Sequence, residues 1–292
     1  MAEPRTTLLE FLTDTCHVPR QALDSWVRCR IYAGDALDDR HTLKEIHRFV
    51  RDGQDRVYVP GSSIKGALRT TLLKAFLLQS GKQGPSLAPW ACEELEAEVF
   101  HTLTLKRDRN QNVQTKNALN SLLQGVRISD SLPISNRQLC LAGKIDEFTD
   151  GTYSRINLCR ECLRPGTEIR CTLTLDQSVL RGAITVDSIR KAIAEASAYY
   201  QKTVLAHYPH AQNYMTPETI LLGGGVGFQS KTILEPYCGS HALKETAETL
   251  HRRFPRHNHR DDPLDGVSPR ALKQTDLDGM SYPYGVCEVK IR

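Results

Sequence analysis

Val57-Tyr58-Val59-Pro60-Gly61-Ser62-Ser63-Ile64-Lys65-Gly66-Ala67-Leu68-Arg69 passes from a β-branched, aromatic strand end through a Pro-Gly break into a helix. The paired serines, Ser62 and Ser63, stand where an N-cap is expected. From there to Gln79, residues Ile64, Leu68, Thr71, Leu72, Ala75 and Leu78 recur at three- and four-residue spacing and predict a buried face. The same helix carries Lys65, Arg69 and Lys74 and no acid between Ser62 and Gln79.

Lys65 and Arg69 lie four apart and share a stripe in the first two turns. Two exposed cations near a helix N-terminus oppose the macrodipole by about 0.3–1 kcal/mol each. A bound anion reverses that sign, because backbone N–H groups, serine hydroxyls, a lysine and an arginine then converge on it. Gly66 weakens the helix interior by about 1 kcal/mol relative to Ala, and a ligand backbone passing close by accounts for it. The alternative is a core helix with a solvated basic face. Local sequence favours neither.

The chain has 292 residues, 40% hydrophobic and 25% charged, the balance of a soluble globular protein with ample core. It shows no apolar run of membrane-spanning length and no signal-peptide pattern. Nine irregularly spaced cysteines in a chain of this size point to a reducing cytosol, hence a cytoplasmic protein. Net charge is only +4, but residues 1–60 hold nine Lys/Arg against ten Asp/Glu, while 101–144 hold seven against two. A local basic surface on a near-neutral molecule suits a nucleic acid held on one face.

Residues 1–56 read as mostly helical, with amphipathic turns at Leu8–Leu12 and Ala22–Val27 and a third short helix from Thr42 to Val50. A loop is expected over 80–89, then an acidic helix from Trp90 to Leu103 whose Glu93, Glu94, Glu96 and Glu98 suit a solvated face better than a metal. Lys106 to Lys116 reads as a basic loop or hairpin tip. Val126–Ser131 alternates as a strand with Arg127, Ser129 and Ser131 on one face. Cys159 and Cys162 form the sequence's one Cys-x-x-Cys, flanked by Cys140 and Cys171. Without a second close pair, small buried thiols fit better than structural zinc, and no metal or cofactor is expected. A second domain is expected from Pro165-Gly166, with a strand over 168–175 and a helix from Val186 to Tyr200 capped by Thr185 or Asp187.

Gly223, Gly224, Gly225 and Gly227, followed by Phe228, Ser230 and Lys231, form the second specific feature. Glycines let main-chain N–H groups approach a ligand, Lys231 adds charge, and Phe228 offers a stacking surface. On this reading Gly225→Val weakens RNA retention and spares stability. A nucleotide-binding P-loop is disfavoured: Ser230 rather than Gly precedes Lys231, and Pro236 interrupts any following helix. His251, His257 and His259 lie among four arginines and invite comparison with general acid–base cleavage, but no positioned partner is visible. A basic turn follows with Arg270 and Lys273, and then a closing strand over 284–291.

The run from Pro60 to Thr70 resembles the signature helix of the RAMP superfamily of CRISPR RNA-binding proteins. The Arg127-Ile-Ser-Asp-Ser131 run, the glycine-rich segment and the tail are similar to the same family in the same order, and within it to the capping subunit of the type III-A (Csm) effector complex. No strand with the family's usual Pro-His opening precedes them. Either the chain starts downstream of that opening or its first domain closes differently. The resemblance implies an α+β fold of two ferredoxin-like (RRM-like) units with helical insertions, residues 1–164 and 165–292. It also implies a non-catalytic subunit at the crRNA 3′ end, with crRNA, target RNA and backbone RAMP subunits as partners, and host nucleases as further candidates. The implied RNA contacts are Ser62, Ser63, Lys65, Arg69, Arg127, Gly223, Gly224, Gly225, Gly227, Phe228, Ser230, Lys231, Arg270 and Lys273. A metal-independent RNA endonuclease of the Cas6 kind and a type III-B subunit are the alternatives.

Overall fold

A computed structural model describes residues 8–37, 45–84, 89–211 and 214–292, with the side chains of 89–91 outside the description. The described residues open with α1 (Leu8–Glu10), which runs into a π-helical turn over Phe11–Thr15, and α2 (Arg20–Trp26). No residue of these helices is buried, and Leu8 and Trp26 are 73% and 61% exposed. The helix expected from Thr42 to Val50 is corrected. Residues 42–44 lie outside the described residues, and Glu45–His47 forms β1. It pairs in parallel with residues 158–160, where an available sheet edge outweighs local helical preference. β1 precedes the signature helix, and its Glu45-Ile46-His47 is not a Pro-His opening.

That helix is α3 (Gly61–Ser80), ended by Gly81 in the left-handed conformation at φ 64°. It starts a residue ahead of the serines, so neither caps it. The Gly61 N–H instead donates to Asp130 Oδ1 at 2.8 Å. Its second half is buried on several sides, at Leu73, Lys74, Ala75 and Leu77, rather than along one stripe. Part of the expected 80–89 loop, residues 85–88, lies outside the description; α4 (Pro89–Phe100) follows it. The 106–116 segment is a hairpin tip closed by an Arg107–Val113 bridge.

β2 (Val126–Ile128) is shorter than expected. β3 (Leu139–Phe148) and β4 (Tyr153–Leu163) form a long antiparallel hairpin with a bulge at Gly143/Lys144. Next come β5 (Leu173–Leu175), α5 (Gln177–Leu180) and α6 (Val186–Thr203), the last opened by a capping box of Thr185 and Ser188. β6 (Thr219–Leu221), α7 (Leu234–Cys238), α8 (Ala242–Arg253), β7 (Ala271–Leu277), β8 (Met280–Pro283) and β9 (Val286–Glu288) complete the chain.

The result is a mixed α+β fold. Its main sheet has the order β1-β4-β3-β7-β8, and β2-β5 and β6-β9 are two-stranded. Two of these sheets join strands from either side of residue 165, through β3–β7 and β2–β5. The core lies where α3, α4 and α6 meet, around Leu68, Leu77, Phe100, Ile189 and Ile193. Cys159 and Cys162 are three apart on β4, so they face opposite sides of the sheet. Cys159 Sγ donates to the Ala36 carbonyl, and Cys162 pairs across the ladder with Cys140.

Candidate nucleic-acid interface

A cleft of about 490 Å³ opens between α3, α6 and the glycine-rich loop after β6. It is built from both ends of the sequence signature. Ser63, Gly66, Arg69 and Thr70 line it from α3, and Gly223, Gly224, Ser230 and Lys231 from the loop. A Cβ built on Gly66 meets nothing within 4 Å, so the glycine leaves open space on the cleft side of the helix. Arg69 is half exposed and holds Glu96 at 3.1 Å. Lys231 is exposed and makes no ion pair among the described residues.

Lys74, which sequence reading counted as a helix cation without assigning it a role, ties the two halves together. Its buried Nζ donates to the carbonyls of Ser230 at 3.0 Å and Gln229 at 3.3 Å. This fixes the backbone just before Lys231 against α3. Burial pushes the Lys74 ammonium down to about 8, with Glu235 acting in the opposite sense. Burial raises Glu235, against the pull of Lys74 and a hydrogen bond from Thr203. One signal was available in sequence: a lysine inside an apolar helical pattern needs a polar partner from elsewhere in the fold.

Other expected residues lie outside the cleft lining, and most have partners within the fold. Lys65 donates to the Leu123 carbonyl at 2.7 Å, and partial burial lowers its pKa. Ser62 is exposed in the first turn of α3 and outside the cleft lining. Arg127 points to Asp176, 2.9 Å away across the β2–β5 pair. Phe228 is half-buried and packs on the cluster of Leu234, Cys238 and Ala242. Arg270 is held between Asp262 and Asp265 at 3.5 and 3.6 Å. At the helix N-terminus the Gly61 N–H is taken by Asp130.

The glycines also divide. Gly223 and Gly227 have φ of 107° and 84°, where a side chain is strained. A Cβ on Gly225 would lie 2.7 Å from the Tyr284 ring, so the expectation that Gly225→Val spares stability is corrected: this glycine makes room for a buried tyrosine. At Gly224 a Cβ meets only Arg160 Nη1, at 3.5 Å. Gly224, Gly225 and Gly227 border a second hollow of about 160 Å³, whose cations are Lys144, Arg160 and Lys273. Lys273 was foreseen; Lys144 and Arg160 were not.

Among the three histidines, His259 is buried with Nδ1 2.9 Å from Asp262 Oδ2, which also accepts from Ser268 at 2.7 Å. His257 stacks on His259 at a centroid distance of 5.8 Å.

The sequence profile described as the RAMP superfamily matches residues 28–251. The chain belongs to the RAMP superfamily. The RAMP chain is 30% identical over 261 residues to a Mycobacterium tuberculosis protein named "CRISPR system Cms protein Csm5", covering 86% of this chain and 68% of the relative. An Enterococcus italicus protein of the same name is 29% identical, with 84% and 62% covered. The crystal structure of T. onnurineus Csm5 superposes with a TM-score of 0.56 at 15% identity, covering 98% of this chain and 84% of that one. A chain of a cryo-EM Csm–crRNA–target RNA ternary complex from a type III-A system gives 0.52 at 16% identity, covering 96% and 86%. At these identities the two structures speak for the fold.

Proposed function

We propose that this chain is a non-catalytic crRNA-binding subunit of a type III-A CRISPR (Csm) interference complex, capping the backbone subunits at the crRNA 3′ end in the cytoplasm. The observation that carries the reading is the cleft in which Ser63 and Arg69 of α3 face Gly223, Gly224, Ser230 and Lys231. Its lining offers main chain and cations, the equipment for holding phosphates without reading bases. Sequence would then be read by pairing between crRNA and target RNA. The relatives named Csm5 and the neighbour in a Csm–crRNA–target RNA complex support the assembly. The exposed apolar residues of α1 and α2 suit contact with a backbone RAMP subunit. Host nucleases belong to the same reading as transient partners. In this reading the RAMP pattern is two ferredoxin-like units dividing near residue 165.

The absence of catalysis is part of the proposal. His259 is locked against a buried carboxylate and His257 is stacked on it, which favours a structural role for the cluster. Incubation of the full chain with labelled crRNA precursor, without metal, should give no cleavage. Site-specific products lost in His257→Ala would favour the endonuclease alternative. Binding is tested with single-stranded RNA over a salt series, where log K should fall by about 0.7 per phosphate contact against log salt. Arg69→Ala and Lys231→Ala should each remove about one contact, and unchanged slopes in both would sink the proposal.

A further inference from the structure

Three cations line the second hollow, and one of them is paired with a carboxylate. Lys273 holds Asp146 at 2.7 Å, whereas the side chains of Lys144 and Arg160 have no hydrogen bond or ion pair among the described residues. The three come from β3, β4 and β7, so the sheet imposes their proximity. Lys144 is depressed first by burial and then by repulsion from Lys273, with Arg160 adding to it and Asp146 opposing. Two cations without partners beside the paired Lys273 leave net positive charge in a half-buried place, which is unfavourable unless an anion arrives. The lining adds no free aromatic face. The Tyr284 ring lies against Gly225, and its hydroxyl donates to the carbonyls of Ala142 and Gly143, each at 3.1 Å. Charge, not stacking, is what the hollow offers.

Gly224 borders both this hollow and the main cleft. It has no side chain to separate them and its φ is not in the left-handed region, so it is a low point between two cation groups. We propose that the hollow of Lys144, Arg160 and Lys273 holds a second phosphate of the same single-stranded RNA, which crosses over Gly224 from the Arg69–Lys231 cleft. The inference rests on the RNA-binding reading of that cleft and adds to it a path and a direction of travel, from α3 over the loop to the main sheet.

The test uses the full chain with Arg160→Gln, Lys144→Gln and Lys231→Ala, an oligouridylate as the RNA, and inorganic phosphate as a free-anion control. Arg160→Gln should weaken oligouridylate binding about tenfold, as expected for loss of one charge-assisted hydrogen bond. It should also lower the slope of log K against log salt by about 0.7. Arg160→Lys should recover most of the affinity, and should do so even if Arg160→Gln also lowers the melting temperature. If Lys231→Ala weakens binding while Arg160→Gln and Lys144→Gln do not, the second phosphate is refuted and the cleft stands. If none of the three weakens binding, both fall. Thermal protection by inorganic phosphate that is lost in Arg160→Gln, with oligouridylate affinity intact, would make the hollow a small-anion site and overturn the RNA path.

Discussion

Lys65 and Arg69 sit one helical turn apart and do different work. The Lys65 ammonium serves a backbone carbonyl, whereas Arg69 lines the cleft and its guanidinium holds Glu96 on the half-exposed side of the helix. Lys65→Ala leaves the Leu123 carbonyl without its donor and should cost about 1 kcal/mol, which lowers the melting temperature by about 2–4 °C. Arg69→Ala should leave the melting temperature nearly unchanged, and calorimetry of the two variants separates them. Lys74 adds a pH signature. Its folded value of about 8 lies below the ordinary 10.5, so between those limits the unfolded chain holds the extra proton. Its contribution to stability therefore rises with pH through that window, and below about pH 8 the buried charge carries its full cost. Lys74→Met should flatten this rise when melts at pH 7.5 and pH 9.5 are compared, roughly, with the wild type. An identical pH dependence in both proteins would show that Lys74 is not buried as described. Residue types were legible in the sequence at this scale, but their partners were not. Nothing near Lys65 announces Leu123, and nothing near Lys74 announces Gln229 and Ser230.

The glycine-rich loop shows what an element adds to its letters. The sequence identified it as a place of close main-chain approach, and the fold distributes that approach among different neighbours. Gly225 makes room for Tyr284, while Gly223 and Gly224 face the cleft. Gly225→Val should therefore lower the melting temperature by several degrees, an overpacking effect of about 1–3 kcal/mol, before any effect on RNA is read. Gly224→Ala, with only a flexible arginine end at 3.5 Å, should fold normally and lose RNA affinity. Equal melting temperatures for the two variants would contradict this division. Helices α3 and α6 were legible because each repeats its apolar positions over several turns, and α6 has its cap in place at Thr185. β1 was not, because three residues carry too little periodicity to outvote their helical neighbours.

At the scale of the molecule, the α+β class and the order of motifs could be read from the chain, but strand pairing across residue 165 could not. Such pairs depend on contacts far apart in sequence, which leave no local pattern. β7 covers one edge of β3, and β5 is the partner of β2. Residues 1–164 expressed alone would thus expose an unpaired β3 edge and lose half of the β2–β5 pair. We expect that fragment to aggregate or to lack a cooperative melt, and the full chain to unfold in one main transition. A soluble, cooperatively folding 1–164 fragment would show that the division near 165 is also a folding boundary.

The joint at the start of α3 is shared between two distant segments. Val59 and Ser131 exchange hydrogen bonds through N–H, hydroxyl and carbonyl, Asp130 accepts from Gly61, and the Ile134 N–H donates to Val57. A Cβ on Gly61 would stand 2.2 Å from the Ile128 carbonyl oxygen. Residues 57–61 and 128–134 therefore behave as one mosaic piece in any exchange of parts between related chains. A chimera that imports one segment without its counterpart inherits a mismatched seam, and compensating changes should arise in the other segment first.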